Sequence, residues 1–224
     1  MKKQDIYDLL EEKLLGYLDY VEVPIKSCDE VLLPIPTTAN LITSPIDEDM
    51  LPYTAHQIYV RQTVLEKLSQ AAELLSSQDP TMELEVVYGY RTKEIQMNLF
   101  EKCQAELKQR FSEAELPEAV HKYIASPEVA GHPTGGAVDI QILKDRKPLD
   151  FGTKIGKLVS DSLTFSPFIS KEAWYNRQLL RRIMMSVDFA PFDGEWWHFS
   201  YGDKEWAKYY EKPFALYEQL DFRI

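Results

Sequence analysis

The chain lacks what several broad classes of protein require. Two cysteines, Cys28 and Cys103, in 224 residues cannot build a disulfide framework, and free thiols in a reducing cytosol are the simpler reading. No apolar run approaches the ~20 residues that cross a bilayer, so no membrane partner is expected. The N-terminal MKKQDIYDLLEEKL puts acids where a secretory signal would carry its apolar core, and a cytoplasmic location follows as the expectation. Basic charge is also scarce. Lys and Arg number 25 against 36 Asp and Glu, a formal charge of −11, which argues against nucleic-acid or anionic-membrane partners. A small anionic group held by one local arginine remains compatible with that balance. There is no internal repeat, no low-complexity segment and no break in composition, so one well-cored domain is expected.

The pattern mixes helices and strands without strict alternation. Ile6, Leu9, Leu10, Leu14 and Tyr17 predict an amphipathic helix over 5–18. Five prolines (Pro24, Pro34, Pro36, Pro45 and Pro52) break the stretch 19–55 into loops and short strands, with VEVPI and EVLLPIP as edge strands. Apolar spacing then turns helical from Ile58 to Leu75. Leu84 to Tyr88 predicts a strand running into Gly89, Tyr90 and Arg91, after which Thr92 caps a helix carrying Ile95, Leu99, Cys103 and Leu107. A short helix and loop follow over 112–127. AVDIQIL predicts a strand, Glu172 to Val187 a helix, EWWHFSY the last strand, and Asp203 the cap of a final short helix. This favours an α+β fold on a largely antiparallel sheet.

Chemistry concentrates in two places. In GHPTGGAVDI, His132 stands seven residues before Asp139, and Gly135 and Gly136 allow the chain to turn between them. Asp139 falls on the strand face opposite Val138, Ile140 and Ile142, so the turn can bring His132 back towards it. The second place is Glu195-Trp196-Trp197-His198. Taken singly, His132 reads as an exposed turn histidine, Asp139 as a turn cap or ion-pair partner, and Glu195 as a surface charge beside buried aromatics. Taken together they are the parts of a catalytic metal site. Two imidazoles and a carboxylate leave one position for water, and a free glutamate can accept that water's proton. Zinc fits this donor set, and non-haem iron, which uses the same donors, is the rival. Glu195 and His198, three apart, would point to opposite faces of a flat strand. A bend must therefore lie between them, and Gly194 makes one easy. His56 and His121 sit in helical contexts and read as surface or outer-sphere residues.

These motifs, with VYGYRT at 87–92 and PLDFGT at 148–153, resemble the D-alanyl-D-alanine dipeptidases. These VanX-type zinc peptidases share a fold with the D-Ala-D-Ala carboxypeptidases and the hedgehog signalling domain. The resemblance runs from about Tyr59 onward. It implies a single zinc peptidase domain over 1–224, with a divergent helix and loops over 1–58 and a catalytic core over 59–224. It implies that His132, Asp139 and His198 hold Zn2+, that Glu195 is the general base, and that Arg91 faces the oxyanion. Without the resemblance, Arg91 reads equally well as a surface arginine after a strand. The implied partner is a small peptide substrate, most simply D-Ala-D-Ala from cell-wall peptidoglycan. Two positions depart from the family pattern. Ala130 replaces a serine that helps hold the substrate, and Gly156 stands where the dipeptidases carry an acid for the substrate's amine. Two alternatives therefore stay open: a D,D- or L,D-carboxypeptidase acting on longer muropeptides, and a non-catalytic zinc-containing binding module. Retention of Glu195 argues against the latter. The oligomeric state has no sequence signal.

Overall fold

A computed structural model describes residues 2–46, 48–109 and 111–224. The alternating run after Gly136 forms the strand Ala137–Lys144, β5. Val138, Ile140 and Ile142 of β5 are wholly buried in the main core. Met82–Tyr88 (β4) and His198–Ser200 (β8) flank β5, both antiparallel to it. Leu41–Thr43 (β2) extends the sheet parallel to β4, and Ala190–Pro191 (β7) lies beyond β8. Lys147–Pro148 (β6) folds back onto the end of β5. Leu32–Pro34 (β1) and Tyr59–Arg61 (β3) form a separate two-stranded ribbon. The expected α+β architecture on a largely antiparallel sheet is what the chain adopts, with β2–β4 as the parallel exception.

Two long helices cover one face of the sheet. Gln62–Gln78 (α4) buries Val64, Leu68, Ala71, Ala72 and Leu75, the stripe its spacing requires. Lys171–Ser186 (α7) adds Leu180, Ile183 and Met184 to the same core, and each leucine removed from water contributes about 2 kcal/mol. Lys93–Leu107 (α5) and Leu116–His121 (α6) stand over a cavity whose floor includes Asp139, on the opposite face of β5. The cap residues behave as their chemistry demands. Thr92 Oγ1 accepts from Ile95 N at 3.2 Å, and Asp203 Oδ1 accepts from Trp206 N at 2.8 Å to start Lys204–Tyr209 (α8).

Four expectations require correction. The helix over 5–18 is two pieces, Lys3–Glu11 (α1) and Tyr17–Tyr20 (α2). Gly16, a poor helix residue, caps the second piece, its N–H donating to Asp19 Oδ2 at 2.9 Å. Residues 59–61 are strand rather than the start of α4, as suits Tyr59 and Val60 beside Leu33 and Pro34. VEVPI contributes only an isolated bridge from Ile25 to Ala215. EWWHFSY is strand only from His198, because residues 193–197 turn. The four-residue helix Leu51–Thr54 (α3), β2 and β7 had no sequence signal.

Arg177 of α7 organises the loop that walls the cavity. It is wholly buried, donating from Nε to Phe151 O at 2.8 Å and from Nη1 to Leu163 O at 2.7 Å. Trp196 joins the same assembly, stacked on Phe151 with ring centroids 4.1 Å apart and donating to Thr153 Oγ1 at 2.9 Å. Burial pulls the Arg177 pKa down to about 10, which leaves it charged at neutral pH. Arg177→Met is expected to strand two buried carbonyls and cost about 3 kcal/mol, read as a lower urea midpoint at unchanged slope.

Candidate metal centre and active site

The site is laid across three neighbouring strands. Asp139 of β5 pairs in register with His198 of β8 on one side and Tyr88 of β4 on the other. His132 arrives from a single 3-10 turn, His132–Thr134, closed by Gly135 in the left-handed region at φ 74°. Arg61 holds that turn to β3, since its N–H donates to Gly135 O at 2.9 Å and its Nε to Thr134 O at 2.7 Å. The turn folds His132 back so that Nε2 lies 3.5 Å from Asp139 Oδ1. His198 Nδ1 lies 3.1 Å from the same oxygen. One ligand atom from each of the three residues lies within 4.8 Å of the others.

Hydrogen bonding selects the atoms that face inward. His132 Nδ1 meets Gly89 O at 2.7 Å. A carbonyl can only accept, so Nδ1 carries the proton and Nε2 presents its lone pair. Burial alone would raise the Asp139 carboxyl, but the charges and hydrogen bonds of His132 and His198 outweigh it and hold the group well below the usual range. Burial disfavours the His198 imidazolium, yet Asp139, with the charges of Glu205 and Glu195, lifts it to about 9. Burial holds His132 down, towards its neutral form. A carboxylate anion and two imidazoles aimed at one point fit a divalent ion that takes N and O donors.

Glu195 lines the same cavity without belonging to the trio. The required bend is there: β8 begins only at His198, whose N–H donates to Glu195 O at 3.1 Å across the turn. Gly194 is needed for a different reason from backbone freedom, since a Cβ there would lie 2.6 Å from the Phe192 ring. Burial pushes the Glu195 carboxyl up to about 7, Asp139 adding to the shift and His198 and Arg91 opposing it.

Arg91 follows β4 and turns into the cavity. Its Nε donates to Tyr88 Oη at 3.2 Å and its Nη1 to Gln96 Oε1 at 3.0 Å, and the guanidinium lies over the Tyr88 ring. Both hydrogen-bond partners are neutral, and among the described residues no carboxylate is paired with it directly. Tyr88 Oη is held in turn by Asp49 at 2.8 Å, and Gln96 Nε2 donates to Ala125 O at 2.8 Å. Sequence reasoning missed Tyr88, Gln96 and Asp49 as supports for Arg91. Only the position of Tyr88 two residues before the Tyr90-Arg91 pair gave a hint.

The cavity measures about 260 Å³ and is lined also by Ala130, Gly156, Tyr20, His121 and Glu205. His121 is buried, accepts from Ser126 N at 3.2 Å, and is held neutral by burial, which lowers it to about 4. His56 is exposed in a turn. Neither belongs to the metal cluster found among the described residues.

A histidine–aspartate–histidine cluster in a cavity with a free glutamate has the donor set and the spare carboxylate that a metallohydrolase centre uses. The comparisons narrow that class. The family model described as D-ala-D-ala dipeptidase, Peptidase M15, matches residues 47–218. The D-alanyl-D-alanine dipeptidase of Synechocystis sp. is 31% identical over 91% of this chain and 94% of its own. Among solved structures, a variant of the D,D-pentapeptidase VanY of the VanB-type vancomycin-resistance cassette, in complex with Zn(II), aligns at 17% identity and TM-score 0.42. It covers 88% of this chain and 96% of its own. The LD-carboxypeptidase LdcB aligns at 16% identity and TM-score 0.48, over 84% of this chain and 79% of its own. The chain belongs to the Peptidase M15 D-Ala-D-Ala dipeptidase family. It is a metallopeptidase, and the metal of this family is zinc.

With His198 as an expected ligand, metal binding would displace the proton that neighbouring acids hold on it up to about 9. Zinc affinity is therefore expected to climb with pH from about 6 towards 9 and then level off. Competition against a chromophoric chelator across that range measures it, and a flat profile would remove His198 from the ligand set.

Proposed function

We propose that the protein hydrolyses a short D-amino-acid peptide, most simply D-Ala-D-Ala, with His132, Asp139 and His198 as the zinc ligands. One observation carries this reading: three donor atoms converge within 4.8 Å in a cavity that also holds the unliganded Glu195. Family membership supports D-Ala-D-Ala as the substrate. Zinc, when bound, polarises the scissile carbonyl and acidifies water.

The chain's own groups do the rest. Glu195, with its pKa lifted to about 7 by burial, exchanges a proton readily near neutrality. As carboxylate it takes the proton of the attacking water, and as acid it returns one to the leaving amine. Burial opposes the Arg91 charge, but Tyr88, Asp139 and Asp49 hold its pKa above the ordinary value, and its hydrogen bonds go to the neutral Tyr88 and Gln96. It stabilises the oxygen that becomes negative as the tetrahedral centre forms. The two unpaired, half-buried thiols fit a reducing compartment, and the cytoplasm is the proposed location. No helix among the described residues is long and apolar enough to cross a membrane. The proposed domain is one unit over 1–224, because β2 from the N-terminal part is hydrogen-bonded into the sheet that carries the site.

A second reading has its own observation. Gly156 lines the cavity, and a side chain there would meet no atom within 4 Å. Gly156 itself brings no acid to that wall for a free substrate amine, which favours a carboxypeptidase acting on a longer muropeptide. Release of D-alanine from the dipeptide and from a pentapeptide, assayed side by side, separates the two. We expect dipeptide turnover, and cleavage of the pentapeptide alone would replace the leading reading with the second.

Glu195→Ala is expected to keep its zinc and lose turnover by about 10³-fold, within the usual range for a general base. Metal content and D-alanine release measured on the same sample check it. Loss of zinc together with activity would make Glu195 a ligand.

A further inference from the structure

The two histidines of the cluster face the metal position with different nitrogens, so their outer nitrogens need different partners. His132 turns Nε2 inward and gives Nδ1–H to the backbone carbonyl of Gly89 at 2.7 Å. His198 turns Nδ1 inward, 3.1 Å from Asp139 Oδ1. A metal on Nδ1 fixes the proton on Nε2, and that N–H points outward. The acidic group facing it is Glu205, with Oε2 3.9 Å from His198 Nε2.

Glu205 does not behave as an ordinary helix-surface acid. Its side chain is 14% exposed, and Oε1 is buried with no hydrogen-bond partner among the described residues. Burying a carboxylate is costly unless a donor or cation compensates. The group that the structure pairs with Glu205 is His198, at 3.9 Å, an ion-pair distance that a small side-chain movement would bring into hydrogen-bond range. Its placement is also fixed. Glu205 is the second residue of α8, whose first turn is tied to β8 by Ser200 Oγ donating to Asp203 Oδ1 at 2.8 Å. Trp206 anchors the next position, Nε1 donating to Asp188 O at 3.1 Å. The strand carrying His198 and the helix carrying Glu205 are thus clamped together two residues beyond the histidine.

We propose that Glu205 is a positioning residue for the metal centre: it holds the Nε2–H of His198 and keeps Nδ1 aimed at the ion. The inference rests on the reading of His132, Asp139 and His198 as zinc ligands. An acceptor behind a metal-bound imidazole fixes its tautomer and ring orientation and raises its basicity, and its loss typically lowers metal affinity by about 10–100-fold.

The test is zinc affinity by chelator competition, with the visible spectrum of the cobalt-substituted protein as a second readout. Glu205→Ala is expected to weaken zinc binding by about 10–100-fold and to shift the cobalt bands. Glu205→Gln retains an acceptor oxygen and is expected to recover most of the affinity and the native spectrum. Lys204→Ala, on the same turn but hydrogen-bonded to Val21 O, is expected to match the native protein. Should the alanine variant fail to fold, Glu205→Asp, which withdraws the carboxylate by one methylene, takes its place with the same expected direction. Native affinity in Glu205→Ala, or an equal loss in Lys204→Ala, would overturn the assignment while leaving the peptidase reading in place. A native protein that binds no zinc would overturn both.

Discussion

Asp139 is a buried carboxylate wedged between two imidazoles, and that contact governs the rest of the centre. Removing a carboxylate from water favours its neutral form. Here His132 and His198 reverse that preference and keep the group an anion. The anion exists because of strand register. Asp139 lies opposite His198 on β8 and opposite Tyr88 on β4. Slipping β5 by one residue would put a core side chain in its place and turn Asp139 towards the core. The fully buried Val138, Ile140 and Ile142 resist that slip, so core packing and site geometry are one constraint.

The same cavity gathers three carboxyl groups, Asp139, Glu195 and Glu205. Burial raises the carboxyl groups of Glu195, Glu205 and Asp203, with neighbouring acids adding to the shift for Glu195 and Glu205. Arg91 is the guanidinium on the cavity wall, and Tyr88 and Gln96 spend its hydrogen bonds without spending its charge. A divalent cation bound among these groups would favour their ionised forms. Binding of the ion to the native state is then coupled to stability by mass action.

What was legible in the sequence was local. His132 and Asp139 are separated by a turn whose glycines announce it, and Glu195 and His198 by a turn of three residues, so each pair could be read as a unit. The strand AVDIQIL, the caps Thr92 and Asp203, and α4 and α7 were legible because periodicity and side-chain hydrogen bonding act within a few residues. The bend before His198 followed from the faces that a strand offers. Supports that cross the fold were not legible. Asp49 reaches Tyr88 Oη from a loop, and an acid at that place in a sequence reads as solvated. Glu205, on a six-residue helix, reads as a surface charge until the helix is packed against β8. Three-residue strands such as β2, lying between prolines, carry too little pattern to show which strand they join.

The donor cluster and the cavity walls are built from different parts of this fold. Asp139 and His198 stand on paired strands, and His132 and Glu195 are each one turn from one, so their mutual geometry is set by sheet hydrogen bonds that tolerate little drift. The cavity walls are built otherwise. Ala130 and Gly156 come from irregular segments, Tyr20 from a four-residue helix and His121 from the end of a six-residue one. Such segments accept substitution more readily than a sheet. Ala130 and Gly156 line the cavity without a polar side-chain group and contribute no atom to the histidine–aspartate–histidine cluster. Arg177 and Trp196 limit even that freedom, because they tie the 151–163 loop to α7 and to the turn that carries Glu195. The wall at Gly156 is held in place by these ties, and its left-handed backbone, at φ 74°, favours glycine there although a Cβ would meet no atom within 4 Å.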